Sequence, residues 1–212
     1  MRQFAVIGLG RFGMSVARTL HALGYDVLAV DSDEGLVQEA TQYVTHAVCA
    51  DARDEETLRS LGIRNFDLVV VAIGEDIEAN VLVTVMLKQL GVKYVIAKAH
   101  SPLHGKVLEK IGADKVIYPE RDMALRLAHN LTTSNILDYI ELSPQYSIVE
   151  LIAKERYYHK TLAELNLRVK EGIWVLAVKR DGTLHAGPGG EFRILPGDEL
   201  ILICPTNKLV NL

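Results

Sequence analysis

Cysteine is scarce: Cys49 and Cys204 are the only two in 212 residues. Both fall in apolar, strand-like segments with no CxxC and no Cys/His spacing, which argues against a disulfide framework or metal site and for two reduced core residues. His100 and His104 have the i, i+4 spacing of a metal pair, but Pro102 between them is expected to break the helix such a pair needs. Long apolar runs are missing as well. A stretch such as Leu68 to Ile73 is far short of the ~20 residues a membrane span requires. Residues 1 to 10 read as a strand and turn rather than a signal peptide, so a cytoplasmic protein is expected. There is no excess of positive charge: 23 Lys and Arg against 27 Asp and Glu give a net charge of -4 and a pI near 6.0. Bulk nucleic-acid or anionic-membrane binding therefore lacks electrostatic support, and no nucleic-acid partner is expected. Repeats and low-complexity stretches are absent. The length leaves room for one domain of about 120 to 140 residues and a small companion, too little for a full-sized catalytic domain in addition. Against these absences, 49% hydrophobic residues and a mean hydropathy of +0.15 point to buried subunit surfaces.

What the chain does have is a glycine pattern in Ala5-Val6-Ile7-Gly8-Leu9-Gly10-Arg11-Phe12-Gly13, after an apolar strand and at the mouth of a helix read over Ser15 to Leu23. Gly8 permits a tight turn, Gly10 removes the Cβ that would block a pyrophosphate, and Gly13 lets helix and strand lie close. Phosphate oxygens then meet unpaired helix N–H groups and the positive end of the helix dipole. A second strand, Val27 to Val30, ends at Asp31, about 21 residues past Gly10, where a carboxylate is expected on the ribose hydroxyls, next to Ser32. The same carboxylate would repel a 2'-phosphate, which argues against NADP.

Short apolar runs then alternate with helical stretches up to Tyr118. Strands are read at Phe4 to Ile7, Val27 to Val30, Ala47 to Ala50, Leu68 to Ile73, Tyr94 to Ala99 and Val116 to Tyr118. Six strands separated by helices imply an α/β fold, a doubly wound parallel sheet of the Rossmann kind. Ligands of such sheets lie at the carboxyl ends of the strands, which nominates Ala72, Ile73 and Gly74 after the fourth and Lys98 at the end of the fifth. After Pro119, Ala124, Leu127, Ala128 and Leu131 form one apolar helical stripe. Thr132 to Asn135 interrupt it, and Ile136, Leu137, Tyr139 and Ile140 are read as a second short helix. The expected division is a nucleotide-binding domain at 1–118, a helix-turn-helix connector at 119–142, and a small α+β domain at 143–212. With the sheet complete, the stripe is expected to bury against another chain, giving a homo-oligomer.

Together with Leu61-Gly62-Ile63-Arg64-Asn65-Phe66-Asp67, Ile111-Gly112-Ala113-Asp114, Pro119-Glu120-Arg121-Asp122-Met123 and Leu165-Asn166-Leu167-Arg168, this order of parts resembles the regulator of potassium conductance family. Within that family it is most similar to the Ktr/Trk-type regulatory subunits of bacterial potassium uptake. The resemblance spans essentially the whole chain. It implies a Rossmann domain that binds adenine nucleotide, ATP or ADP with NAD or NADH as competitors, and a crossing helical connector that pairs protomers. It also implies a C-terminal domain that dimerises, and homodimers assembled as an octameric ring on the cytoplasmic face of a membrane-embedded potassium channel subunit. Residue by residue, the loop Gly8, Leu9, Gly10, Arg11, Phe12 and Gly13 holds the phosphates, with Arg11 reaching a terminal phosphate. Asp51, with Ala52 beside it, borders the adenine, although Arg53 stands where the family more often has threonine. Glu120 faces the terminal phosphate through a bound magnesium, calcium or sodium ion. Asn166 and Arg168 lie in the motif of a possible second effector. Cyclic di-AMP binds there in some similar proteins, but Trp174 occupies a position that is small or polar in them.

The competing reading is an NAD-dependent oxidoreductase, which would use the same loop and Asp31. Beyond Tyr118, however, the sequence offers no Ser/His/Asp set and no cysteine nucleophile with a partner histidine. The expectation is a regulator without catalysis.

Overall fold

The computed structural model describes residues 2–132 and 136–211. The chain divides into two compact units, residues 1–119 and 120–212, taken in turn.

The first unit contains β1 (Gln3–Ile7), α1 (Arg11–Ala22), β2 (Asp26–Asp31), α2 (Glu34–Ala40), β3 (His46–Cys49) and α3 (Glu55–Ser60). These are followed by β4 (Leu68–Val71), α4 (Ile77–Gln89), β5 (Val95–Lys98), α5 (Pro102–Lys110) and β6 (Lys115–Ile117). The strands form one parallel sheet in the order β3-β2-β1-β4-β5-β6. The order reverses between β1 and β4, which opens a crevice at the carboxyl edge where the chain leaves these strands in opposite directions. Phe4 to Ile7 and Val69 to Val71 are buried along their whole length, as befits strands covered by helices on both faces. Leu58, Leu87 and Leu108 pack one face, and Met14, Ala17 and Val37 the other.

Helix starts in this unit follow one rule with one exception. Asp33, Asp54, Asp76 and Ser101 each accept a backbone N–H as the N-cap of α2, α3, α4 and α5. Helix α1 begins on Gly10 and has no side-chain cap. It also begins four residues before the predicted Ser15, because the fingerprint loop is shorter than it reads: Met14 N–H already donates to Gly10 C=O at 2.9 Å. The strand limits differ by one or two residues from expectation, and β4 ends at Val71, leaving Ala72 and Ile73 to the loop. Pro102 does not break a helix but starts one, as the first residue of α5 behind the Ser101 cap.

The boundary falls after the first residue of α6 (Pro119–Thr132), and the second unit continues with β7 (Ile136–Ser143), β8 (Tyr146–Ile152), α7 (Leu162–Leu165), α8 (Leu167–Glu171), β9 (Trp174–Arg180), β10 (Thr183–Ala186) and β11 (Glu199–Pro205). Its strands make an antiparallel sheet in the order β10-β9-β11-β8-β7. Here the second connector helix is corrected: Ile136 to Ile140 lie in β7, which forms a hairpin with β8 and places Tyr139 opposite Val149. β-Branched and aromatic residues at 136, 139 and 140 suit a pleated surface, and Pro144 in the turn forbids a continuing helix. The turn expected at Thr132 to Asn135 falls, at residues 133–135, outside the described residues. Arg126 of α6 grips both carboxylate oxygens of Asp138 of β7 along one edge of its guanidinium, Nε donating to Oδ1 at 2.7 Å and Nη2 to Oδ2. On α6, Leu127 and Leu131 of the predicted stripe are 55% and 75% exposed. The core gathers Val149, Leu151, Ile173, Ile194, Leu200 and Leu202. At its edge Asp198, 1% exposed, accepts two 2.7 Å hydrogen bonds from Arg180 and a third from Leu195 N–H at 2.8 Å.

Candidate functional site

A cleft of about 390 Å³ opens at the carboxyl edge of the first sheet, at the switch between β1 and β4. Its walls come from the ends of β1, β2, β3 and β4. Of the predicted residues, Gly8, Gly10, Asp31, Ser32, Asp51, Ala52, Ala72, Ile73 and Gly74 line it together.

Each glycine of the loop answers a different constraint. Gly8 has φ +93, and a Cβ there would lie 2.9 Å from Ile73 N, so neither its conformation nor its neighbours admit a side chain. At Gly13 a Cβ would come within 1.8 Å of the Gly8 carbonyl oxygen, which is the close approach of α1 to the loop. At Gly10 nothing lies within 4 Å of that position, and the residue faces the cleft. The uncapped N–H groups of α1 and its dipole thus meet open space, an arrangement suited to an anion.

Asp31, predicted to meet a ribose, holds two backbone N–H groups. Its Oδ2 accepts the Leu9 N–H at 2.5 Å and its Oδ1 accepts the Asp33 N–H at 2.9 Å. The carboxylate therefore pins the phosphate loop to β2 while lining the cleft. Leu9 itself is fully buried and holds the loop from below. Phe12 packs into the core beneath α1, and Arg11 is an exposed residue of the first helical turn. Neither lines the cleft. The Lys98 ammonium stands 5.9 Å from the Phe12 ring centroid and would be 3.1 Å from a Cβ on Gly74. The absent side chain at Gly74 is what gives Lys98 its place beside the β4 loop.

Sequence reasoning missed Asn80, a fully buried residue in the first turns of α4. Its Nδ2 donates to Ile73 C=O at 2.6 Å and to Lys98 C=O at 3.0 Å, tying the ends of β4 and β5 together. An amide inside an otherwise apolar helix segment was the only signal. Glu75 and Asp76 also line the cleft. Arg53 lines it too, bonded to Asp51, whose carboxyl it holds below the usual carboxylate range. Cys49 departs from expectation: it sits on the edge strand β3 and is exposed, its thiol donating to Ser32 C=O at 3.5 Å. Cys204 is buried as expected, and burial pushes its thiol up to about 11. His104 is buried, with Nδ1 accepting the His100 N–H at 3.2 Å. No cluster of three or more metal-ligating side chains occurs among the described residues.

In the second unit, Glu120 is exposed in the first turn of α6. Asn166 takes the left-handed conformation at φ 47 where α7 passes into α8. Arg168 lies with its guanidinium 5.8 Å from the Trp174 ring centroid. No helix among the described residues is long and apolar enough to cross a membrane.

A parallel doubly wound sheet whose switch-point cleft carries a glycine loop, an uncapped helix and an acid ending β2 defines a Rossmann-type nucleotide-binding unit, here followed by a small antiparallel-sheet domain. The TrkA-N domain profile matches residues 4–119 and the TrkA-C domain profile residues 147–209. The chain belongs to this TrkA-N/TrkA-C family, which includes the Ktr potassium uptake proteins. It is 48% identical over 202 residues to Ktr system potassium uptake protein C of Bacillus subtilis (strain 168), covering 95% of this chain and 91% of that protein. With Ktr system potassium uptake protein A of Vibrio alginolyticus it shares 40% identity over 210 residues, 99% of this chain and 96% of the other. Among solved structures, the GsuK channel has the same fold at a TM-score of 0.70 and 20% identity, over 98% of this chain and 38% of that one. The NAD(P)-binding domain of an exopolyphosphatase-related protein from Archaeoglobus fulgidus matches at a TM-score of 0.53 and 29% identity, over 59% of this chain and 93% of that one.

Proposed function

We propose that this chain is the cytoplasmic, nucleotide-sensing regulatory subunit of a potassium uptake system, docked on a membrane-embedded channel subunit. The observation that carries the reading is its similarity to Ktr potassium uptake proteins over nearly its whole length, joined to a cleft built for a nucleotide. It acts as a non-enzymatic regulator. The oxidoreductase alternative has no support in the second unit, which is a small antiparallel sheet rather than a substrate domain.

The ligand of the cleft is an adenine nucleotide, ATP or ADP, with NAD or NADH competing for the same loop. Its phosphates meet the N–H groups at the start of α1, and its ribose meets Asp31. The cleft fits such a group because the space at Gly10 is open. ATP and ADP differ only in the terminal phosphate, and a ligand shifts a conformational equilibrium only through its differential affinity for the two states. Arg11 and Glu120 are the charged residues assigned to sense that phosphate, and Lys98 meets phosphate or ribose. A magnesium, calcium or sodium ion would neutralise the repulsion between phosphate and the Glu120 carboxylate, an oxygen donor of the type such hard cations take. Protomers pair through α6 and build an octameric ring of four dimers. Asn166 and Arg168 belong to a second effector region. Cyclic di-AMP is the weaker candidate there, since Arg168 already lies over Trp174.

The test is potassium flux in liposomes carrying the cognate channel subunit and this protein. Flux should differ between ATP and ADP, and the double variant Arg11→Ala, Glu120→Gln should abolish the difference. Flux indifferent to both protein and nucleotide refutes the gating role, and steady turnover of a nicotinamide cofactor would move the assignment to the oxidoreductase.

A further inference from the structure

The wall of the cleft beyond Asp31 is made by the loop that leaves β3, with Ala50, Asp51, Ala52 and Arg53 all lining it. In a doubly wound sheet the ribose sits at the acid ending β2, so the base lies on this wall. Asp51 is not free to read it. Its Oδ1 accepts Arg53 Nε at 2.9 Å and the Arg53 backbone N–H at 2.9 Å, and its Oδ2 accepts Nη2 at 2.7 Å and Nε at 3.1 Å. A carboxylate so engaged is a poor acceptor for an exocyclic amine.

The guanidinium, by contrast, is bonded in its own plane and along one edge. Among the described residues no hydrogen bond engages Nη1. The ion pair is about half exposed, 55% for the arginine side chain and 49% for the aspartate, so it adds little to fold stability. What it supplies is orientation: the guanidinium is held at the cleft instead of sweeping through solvent. Ala52 is buried in the core of this unit and Ala50 packs against that core, so neither puts a long side chain between the guanidinium and the cleft. The acids Asp76 and Glu78, at the start of α4, also act on this cation at longer range.

We propose that Arg53 is the base-recognition residue of the cleft, its planar cation stacking on a purine, and that Asp51 is a positioning residue that acts through Arg53. The proposal rests on reading the cleft as a nucleotide site and adds how the base is chosen. Stacking on a guanidinium uses the π-face that every purine has. Selectivity against hypoxanthine is then weak, whereas a carboxylate reading the 6-amino group would reject a base that lacks it.

Calorimetry on the ligand-free full chain with ATP, ADP and inosine triphosphate tests this. Arg53→Ala should weaken ATP and ADP by the same factor, roughly 3- to 30-fold. Arg53→Lys, which keeps the charge without the plane, should behave like Arg53→Ala. Asp51→Ala should cost no more than Arg53→Ala, and the double variant should equal Arg53→Ala alone. In the wild type, inosine triphosphate should bind within roughly threefold of ATP. The proposal is overturned if the double variant loses the product of the two single losses, if lysine restores wild-type affinity, or if inosine triphosphate binds the wild type more than tenfold weaker. A wild-type chain that binds none of the three nucleotides overturns the nucleotide reading itself, a pattern distinct from any of these.

Discussion

Gly10 and Gly13 lie three residues apart in one loop-to-helix junction, yet the same added methyl group should produce opposite failures. At Gly13 the new Cβ would be 1.8 Å from the Gly8 carbonyl oxygen and 3.0 Å from Ala72 Cβ. The first contact is far inside any tolerated separation, so α1 has to retreat from the loop. Overpacking of this kind costs at least about 1–3 kcal/mol, which for a domain of this size lowers Tm by roughly 4 to 12 °C. At Gly10 the new Cβ meets nothing within 4 Å, and the backbone at φ -59 is one that alanine adopts freely. The cost to the fold is only that of a poorer N-cap, about 0.5 kcal/mol, or roughly 2 °C. The methyl group then stands where phosphate oxygens should approach α1, and affinity should fall at least about tenfold, or 1.4 kcal/mol. Thermal melts of ligand-stripped protein and calorimetric titration with ATP and ADP separate the two effects. A Gly13→Ala variant melting with the wild type, or a Gly10→Ala variant binding as the wild type does, would refute this account of the junction.

Asp31→Ala should remove a ribose contact and release the Leu9 N–H, weakening ATP and ADP about 10- to 100-fold, the equivalent of about 1.5–3 kcal/mol; titration of the folded variant at wild-type affinity would sink the assignment. Asp198→Asn should destabilise the C-terminal domain by about 1.5–3 kcal/mol because it removes the charge from a buried carboxylate bonded to the partly exposed Arg180, read as a lower denaturation midpoint. Burial alone would raise the Asp198 pKa, but the Arg180 hydrogen bonds and the Leu195 N–H outweigh it and the net direction is downward. The stability it contributes is thus present above about pH 4, the unfolded carboxylate value, and is lost as pH falls through the lower folded value. The asparagine variant should show less of this acid loss. Glutamate at Leu127 and Leu131 should dissociate the oligomer before it alters nucleotide affinity; light scattering that shows the same mass for wild type and variant would remove the stripe from the interface.

The first unit was largely legible because a buried parallel strand carries its signal in its own residues. Leu68 to Val71 is apolar without alternation, and such a run between helices has few other uses. The acid at Asp31 was legible from spacing, but its grip on Leu9 was not, since side-chain to backbone contacts 22 residues apart leave no periodic trace. The contacts of Asn80 were illegible for the same reason: its two acceptors lie just after β4 and at the end of β5. Strand β7 was misread because Ile136, Leu137, Tyr139 and Ile140 satisfy a helical stripe as well as a pleat, and only pairing with β8 decides between them. Cys49 is apolar in its surroundings along the chain, but its strand lies at the sheet edge, and edge position is a property of topology. Arg53 could be noticed as unusual from the sequence, whereas its bidentate hold on Asp51 required the loop's actual turn.

The rule that α2 to α5 carry their own side-chain caps while α1 does not reaches beyond the cleft. A helix whose terminus is completed by a solute makes that solute part of the folded state. Binding at a hundredfold excess over Kd adds about 2.7 kcal/mol to stability by mass action, a large share of what a small domain possesses. The emptied chain would therefore be the form most open to proteases, and its lifetime would follow the supply of whatever ligand the cleft holds.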